Sequence, residues 1–210
     1  MNTNVKTYLV SGGLGHIGSG LTDKLLNSGS RVIVVDDLST QRFPSLFGKF
    51  YSDKFHFINE ALQSKVVGSE IQKILNNTSD KLDAVIHLAA QTDAASSFDR
   101  ESELKQNNVE ATHAAIDISA EANCTLVYPS STSVYGENSN LVVETSVVNP
   151  QSPYAESKII EENLVLENAL KPIVLRLGTI AGPSIGMRFH TAVNSFVWKS
   201  IIGQPVTIWT

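Results

Sequence analysis

The sequence is poor in the features that mark several classes of protein. It contains one cysteine, Cys124, so no disulfide can form within the chain, and this favours a reducing compartment. Positive charge is not in excess: 16 lysines and arginines against 21 acidic residues give a net charge of −5, whereas nucleic-acid-binding proteins carry a basic patch. The sequence has neither the apolar run of about 18 residues that crosses a bilayer nor the apolar stretch of a signal peptide. We therefore expect a cytoplasmic protein that binds neither nucleic acid nor a membrane.

What the sequence does contain is an alternation of short apolar runs and longer helical patterns. The runs are bounded by turn residues, which is typical of buried strands. Strand–helix alternation with continuously apolar strands predicts an α/β fold, a doubly wound parallel sheet of the Rossmann type with helices on both faces. Strands are predicted at 7–11, 31–35, 55–58, 83–88, 125–129, 172–177 and 203–209, and helices at about 16–28, 62–77, 101–122, 153–169 and 190–202.

A glycine-rich stretch, SGGLGHIGSGL, lies between the first predicted strand and the first predicted helix. Glycines allow the backbone to turn tightly and to approach a pyrophosphate, while the free N–H groups at a helix start attract its charge. The stretch therefore predicts a dinucleotide site, and a tight turn without a ligand is the alternative. The expected cofactor contacts here are Gly12, Gly15, His16, Ile17 and Gly18.

The second predicted strand ends in VVDDL, which places Asp36 about twenty residues after the last glycine of the motif. A carboxylate at this position accepts hydrogen bonds from a ribose and repels a 2′-phosphate, so it favours NAD over NADP. Asp37 adds a second negative charge. Arg42 leaves NADP open, because an arginine can accommodate the phosphate, and a solvated turn acid is the alternative for Asp36.

The stretch SPYAESK predicts a pair of residues for proton transfer. Ser152 is a good N-cap and Pro153 suits the first turn, so Tyr154 and Lys158 share one helix face at i and i+4. A neighbouring ammonium and a positive nicotinamide ring would lower the pKa of the phenol, which could then take a proton from a substrate hydroxyl. Ser131, after the fifth strand, is the expected hydrogen-bond donor to the reacting oxygen. Surface residues and a turn serine are the alternatives.

Several stretches in this order resemble one known family. They are SGGLGHIG, VVDDLS, DAVIHLAAQT, NNV, SSTSVYGE, SPYAESK and LRLGTIAGP. The chain resembles the extended short-chain dehydrogenases/reductases of the nucleotide-sugar epimerase/dehydratase group, most of all the UDP-glucose 4-epimerase branch. The resemblance extends from about residue 5 to the last residue and implies NAD as the cofactor.

The resemblance also implies roles for particular residues. It implies that Asn59 lies near the adenine and that Asn107 stands against the cofactor in the long helix. The implied catalytic set is Ser131, Tyr154 and Lys158, of which the last two also contact the cofactor. Further implied contacts are Leu88, Ala89, Ala90 and Gln91 along the dinucleotide, and Ser131, Thr132, Thr179, Arg188 and Asn194 around the substrate.

Structural roles remain open for some of these residues. Close packing is the alternative for the alanines, a polar helix-start position for Asn107, and surface-helix positions for Arg188 and Asn194. His87 is expected to be a packing residue at a strand end. The five histidines show no metal-binding spacing with acids or with Cys124, so no metal is expected.

The residues after Ser131 favour one reaction of the family. Dehydratases typically carry an Asp-Glu pair directly after this hydroxyl, and the related decarboxylases usually keep the glutamate. This chain has Thr132 and Ser133 there, and neither is a carboxylic acid. We therefore expect epimerisation of a nucleotide sugar at C4 through a transient 4-keto intermediate. The alternatives are a reductase or dehydrogenase, a dehydratase, and a non-catalytic dinucleotide-binding protein.

The resemblance further implies how the chain is divided and what it binds. Residues 1–178 would form the NAD-binding Rossmann domain with the catalytic residues, and residues 179–210 the beginning of a truncated, incomplete substrate-binding lobe. The chain alone is therefore expected to bind NAD and to turn over sugar poorly. A UDP-hexose is the expected substrate, although Thr179 stands where the 4-epimerases have an asparagine. Helices 101–122 and 153–169 would form a homodimer through a four-helix bundle.

Overall fold

The computed structural model describes residues 5–90, 101–138, 141–189 and 191–207, with only the backbone described at 101–104. These residues contain six strands, five α-helices and three short 3₁₀ turns (Phe43–Leu46, Lys49–Tyr51 and Thr132–Tyr135). None of the described helices is both long and apolar enough to cross a bilayer. The strands are β1 (Thr7–Ser11), β2 (Arg31–Val35), β3 (Phe55–Ile58), β4 (Ala84–His87), β5 (Thr125–Ser131) and β6 (Pro172–Leu177), and the helices are α1 (His16–Asn27), α2 (Val67–Thr78), α3 (Glu101–Glu121), α4 (Pro153–Asn168) and α5 (Ala192–Ile201).

The six strands form one parallel sheet in the order β3-β2-β1-β4-β5-β6, which confirms the predicted doubly wound fold. The order reverses between β1 and β4, whose last residues, Ser11 and His87, are partners in register. In open α/β sheets, ligands bind beyond the carboxyl ends of the strands at such a reversal. The topology therefore selects this edge of the sheet for a site.

The core lies on both faces of the sheet because successive side chains in a strand point to opposite sides. Leu9 and Ile33 belong to a cluster with α2, α3 and α4 on one face, and Val10 and Val34 belong to a cluster with α1 on the other. All four residues are fully buried. Both faces of the central strands are covered, as their continuously apolar sequences predicted.

One predicted boundary is wrong, and one predicted strand is not formed over the residues that the structure describes. Helix α2 begins at Val67 rather than near 62, because the preceding residues form two tight turns in which the Ser64 N–H donates to Ala61 O and the Val67 N–H to Ser64 O. The apolar Leu62 is buried, but it packs from a turn. Residues 204–207 of the predicted last strand are not in a strand, and residues 208 and 209 lie outside the described part of the chain.

The glycine-rich turn between β1 and α1 is set by close backbone contacts. Gly12 has a φ of +65°, and a Cβ there would lie 2.6 Å from Ala89 N. A Cβ on Gly18 would lie 2.3 Å from Gly12 O, so the first turn of α1 packs directly on the loop. Gly15 is the N-cap, and no described side chain bonds to the N–H groups that begin the helix. These groups remain available to a negatively charged ligand.

A buried polar chain fixes the carboxyl ends of β1 and β4. The Ser11 hydroxyl donates to His87 Nδ1 at 2.7 Å and accepts from Ala89 N at 3.4 Å. Thr112 donates its hydroxyl proton to Asn108 O, so it must accept from His87 Nε2, at 3.3 Å. Because burial lowers the pKa of His87 to about 3, the ring is neutral at pH 7 and its one proton is on Nε2. His87, which the sequence predicted to be a packing residue, thus connects β4 to β1 and to α3 below the edge of the sheet where the site is expected.

Two glycines of α1 give a matched test of the close contact. We expect Gly18→Ala to lower the free energy of unfolding by about 2–3 kcal/mol, because the added methyl group overlaps the loop backbone. Gly20→Ala should raise it by about 0.5–1 kcal/mol, since its Cβ would meet only Ser184 Cβ at 3.7 Å and alanine favours the helix. Urea unfolding followed by circular dichroism measures both. Equal stability of the two variants would contradict this account.

His87 makes stability depend on pH. Burial, with a smaller effect from the charge of Lys158, lowers the pKa of His87 to about 3, from 6.5 for the free side chain. Between these pH values the unfolded chain binds a proton that the folded protein does not, so stability falls as the pH decreases through this window. In His87→Gln the slope between pH 6 and 4 should be smaller by about 1.4 kcal/mol per pH unit. Urea unfolding at each pH measures it, and His113→Gln, at an exposed position of α3, should keep the wild-type slope.

Candidate active site

A cleft of about 670 Å³ lies at the carboxyl edge of the sheet, over the reversal between β1 and β4. Its walls are formed by the glycine turn, the end of β5, the segments that follow β2, β3, β4 and β6, one part of α3 and the start of α4. It brings together fifteen of the residues that the sequence predicted: Gly12, Gly15, His16, Ile17, Gly18, Asp36, Asp37, Leu88, Ala89, Ala90, Asn107, Ser131, Tyr154, Lys158 and Arg188.

The structure does not bring every expected residue to the cleft. Asn59, Thr132 and Thr179 are exposed and are not among the lining residues. Their neighbours in the sequence, such as Glu60, line the cleft instead. Gln91 lies outside the described residues.

Asn194 has a different position from the one expected of a substrate ligand. It is buried in the first turn of α5, and its Nδ2 donates to Arg188 O at 3.0 Å. Its Oδ1 accepts from Gly182 N at 3.1 Å. Both ends of the amide are therefore engaged by backbone, and Asn194 holds the segment that carries Arg188 into the cleft.

That segment, residues 182–188, is fastened to the beginning of α1 and is here called the clasp. Gly182 O bonds to His16 Nε2 at 3.0 Å, and the Ser184 hydroxyl donates to His16 O at 2.8 Å. Gly186 N donates to the Ser19 hydroxyl at 3.0 Å. The clasp therefore closes over the glycine turn. No pattern within residues 182–188 predicts these long-range contacts.

Asp36 is held at the end of β2 with its carboxylate at the wall of the cleft. Its two oxygens accept hydrogen bonds from Leu14 N at 3.2 Å and Leu38 N at 3.0 Å. Burial raises the pKa of this carboxyl, and the two N–H groups oppose that shift. Arg42, which kept NADP open, also lines the cleft and donates to Met187 O of the clasp at 3.4 Å.

Tyr154 lies in the first turn of α4, which begins as the sequence predicted. The Ser152 side chain accepts from Ala155 N at 3.2 Å, and Pro153 takes the first position. Burial raises the pKa of Tyr154, a hydrogen bond from Ser131 and the charge of Arg188 lower it, and the charge of Glu161 raises it. The net shift is upward, so the side chains of the protein alone keep this phenol protonated at neutral pH.

Ser131 is oriented toward Tyr154 by a residue that the sequence analysis did not include in the site. The Ser131 oxygen accepts from Ser133 N at 3.2 Å and from the Ser133 hydroxyl at 2.8 Å. Its own proton is then left to donate to the phenolic oxygen, which agrees with the lowering effect of this bond on the pKa of Tyr154. A hydroxyl two residues after a serine at a strand end is a local signal for such a turn.

Lys158 lines the cleft with Tyr154, but its ammonium is hydrogen-bonded to a different phenol and to a carboxylate. Its Nζ donates to Tyr128 Oη at 2.9 Å and to Glu161 Oε2 at 3.2 Å. Tyr128 in turn donates to the same carboxylate oxygen at 2.7 Å. Burial, and then the charge of Glu161, raise the pKa of Tyr128, which therefore stays a donor. Tyr128 and Glu161 are two further residues near the site that the sequence analysis missed.

Comparison with known proteins identifies relatives of two activities. A UDP-glucose 4-epimerase 2 of Oryza sativa subsp. japonica is 31% identical over 168 residues, which is 76% of this chain and 40% of the relative. A dTDP-D-glucose 4,6-dehydratase of Dictyostelium discoideum is 31% identical over 203 residues, 85% of this chain and 45% of the relative. The chain thus spans about half the length, or less, of these relatives.

A solved structure shows the same fold over almost the whole chain. The UDP-glucuronic acid 4-epimerase from Bacillus cereus, in complex with UDP-glucuronic acid and NAD, superposes with a TM-score of 0.81 at 26% identity. The match covers 97% of this chain and 65% of that one. The family described as the NAD dependent epimerase/dehydratase family matches residues 8–210. The chain is therefore a member of that family, an extended short-chain dehydrogenase/reductase with the fold of the nucleotide-sugar epimerases.

Proposed function

We propose that the protein binds NAD in this cleft and epimerises a nucleotide sugar at C4 through a transient 4-keto intermediate. The observation that carries the proposal is that Ser131 and Tyr154 line the same cleft as the glycine turn, with Ser131 close enough to lower the pKa of the phenol. It places a donor and a phenol where a sugar hydroxyl could exchange its proton. The family membership and the 4-epimerases among the relatives support the same reaction.

The lining of the cleft fits NAD. Gly12 and Gly18 sit where any Cβ would collide with backbone, and the N–H groups at the start of α1 are free of side-chain caps among the described residues, as a bound pyrophosphate requires. Asp36 is fixed by two N–H groups and would accept from the adenosine ribose. Together with Asp37 it would repel a 2′-phosphate, which favours NAD over NADP.

Tyr154 would act as the base and Ser131 as the donor to the reacting oxygen. When bound, NAD supplies a hydride acceptor and a positively charged ring. Tyr154 takes the hydroxyl proton as the C4 hydrogen leaves with its electron pair, and Ser131 stabilises the oxygen in both states. Because the pKa of Tyr154 is raised by the protein itself, the phenol becomes a base only beside an added positive charge. Turning the 4-keto sugar over and reversing both transfers gives the epimer.

Epimerisation is favoured over dehydration by the two residues after Ser131. Elimination of water needs an acid and a base, and Thr132 and Ser133 are neither. Ser133 is engaged in orienting Ser131, and Thr132 is exposed. The dehydratase among the relatives keeps dehydration as the second candidate.

We further propose that the sugar is attached to UDP. Arg188 lines the cleft and would pair with a diphosphate, and relatives named for UDP-sugars support that choice of nucleotide.

We also propose that two chains form a dimer. On α4, Ile160 is 48% exposed and would be covered by α3 and α4 of a second copy. Light scattering of the purified protein tests the dimer, and a monomer at all concentrations would contradict it.

The proposed reaction is tested by incubating the purified protein and NAD with UDP-, GDP- and dTDP-hexoses at protein concentrations that approach that of the sugar. We expect a 4-epimer to form, with no net accumulation of reduced cofactor. A 4-keto-6-deoxy product would identify a dehydratase, and stoichiometric NADH a dehydrogenase. If NAD binds in calorimetry but no sugar in the panel reacts, the proposal is wrong.

Tyr154→Phe tests the assignment of the base. Removing the hydroxyl should lower turnover by at least about 10²-fold, because general base catalysis is lost, while calorimetry should show NAD affinity close to that of the wild type. Tyr51→Phe is the matched control, since Tyr51 is 96% exposed and lies outside the cleft, and it should keep wild-type turnover. Retention of turnover in Tyr154→Phe would exclude this residue as the base.

A further inference from the structure

Helix α4 carries three ionisable side chains in line with the cleft. Tyr154, Lys158 and Glu161 follow one another at i, i+4 and i+7, so they share one face of the helix. Seven residues of α-helix rise about 10 Å, so the Cα atoms of Tyr154 and Glu161 lie about two turns apart. Glu161 is completely buried, although it has no contact with the cleft and no part in the proton transfer proposed above.

Glu161 and Lys158 form a closed triangle with Tyr128. The ammonium and the phenol both donate to Oε2 of the carboxylate, at 3.2 Å and 2.7 Å, and the ammonium also donates to the phenol at 2.9 Å. Nζ lies 4.9 Å from the centre of the Tyr128 ring. The side chains of Lys158 and Glu161 are only 5% and 1% exposed, so water screens their interaction weakly.

We propose that Glu161 is a positioning residue of the active site, whose carboxylate holds the Lys158 ammonium against Tyr128 and cancels much of the positive potential that the lysine would exert on Tyr154. The phenol then loses its proton at a higher pH than it would beside an unpaired lysine. In agreement with this, the charge of Glu161 raises the pKa of Tyr154. The inference rests on the proposed function only in taking Tyr154 as the base.

The other charged groups around α4 are arranged so that they do not replace this effect. Arg188, which approaches from the clasp, acts in the opposite direction and lowers the pKa of Tyr154. His87 of β4, beside Tyr128, is neutral. Two further cations on elements packed against α4 have local partners: Arg176 of β6 bonds to Glu162 and to Tyr135 of the 3₁₀ turn, and Lys105 of α3 pairs with Glu156.

Replacing the charge and the shape of Glu161 separately tests the proposal. Glu161→Gln keeps the shape and removes the charge, whereas Glu161→Asp keeps the charge and shortens the side chain. The titration of Tyr154 is followed by NMR of ¹³C-tyrosine-labelled protein without sugar, with its resonance assigned from Tyr154→Phe. We expect the ratio of phenolate to phenol at a given pH to rise about tenfold in Glu161→Gln, as one removed charge at this separation implies, and to stay near wild type in Glu161→Asp.

Glu162→Gln is the matched control, because Glu162 is the next buried acid on α4 and bonds to Arg176 instead of Lys158. It should leave the titration of Tyr154 unchanged. The proposal is overturned if Glu161→Gln titrates like the wild type, if Glu161→Asp shifts as much as Glu161→Gln, or if Glu162→Gln produces the same shift. None of these readings depends on sugar turnover, so they are separable from a failure of the proposed reaction.

A second pair of variants applies if Glu161→Gln does not fold because it leaves the charge of Lys158 uncompensated. Lys158→Met leaves the carboxylate unneutralised and should make Tyr154 harder to ionise than in the wild type. The double variant Lys158→Met/Glu161→Gln removes both charges and should return the titration toward that of the wild type. Equal titration of Tyr154 in the single and the double variant would overturn the proposal.

Discussion

The site depends on the hydrogen bond between Ser11 and His87, which joins two strands that are distant in sequence. β1 and β4 end side by side at the point where the strand order reverses, and the cleft opens there. The same serine accepts from Ala89 N, the atom that leaves no room for a side chain on Gly12. The glycine turn, the end of β4 and the buried histidine therefore depend on one another, and each is required for the shape of the cleft.

The electrostatics of the site are governed by burial as much as by charge. Burial is the largest cause of the upward pKa shifts of both Asp36 and Tyr154, and local hydrogen bonds oppose it in each case. The lysine that the sequence pairs with Tyr154 is instead paired with Glu161. The protein thus keeps the phenol of Tyr154 in its neutral form, next to Ser131, whose hydrogen bond stabilises the anion. The positive charge of an oxidised nicotinamide ring would favour that anion, and the family is NAD dependent.

The sequence predicted what depends on local pattern and on the order of elements. All six observed strands lie within two residues of the predicted ones, and the glycine turn and the start of α4 at Pro153 agree as well. The side-chain contacts of Lys158, Glu161 and Asn194 depend on tertiary packing and could not be predicted. The i+3 spacing of Lys158 and Glu161 is visible in the sequence, but their burial beside Tyr128 depends on how α4 packs on β5. Asn194 was predicted to bind the substrate, but its side-chain amide is hydrogen-bonded to backbone groups of the clasp.

The clasp has a consequence for the exchange of whatever occupies the cleft. Residues 182–188 bond to the start of α1 at His16 and Ser19, and Met187 accepts from Arg42 on the far wall. Arg188 extends from this clasp into the cleft. A dinucleotide lying over the glycine turn would therefore lie beneath the clasp, which is hydrogen-bonded both to α1 and to Arg42. Release of the dinucleotide would then require some of these hydrogen bonds to break.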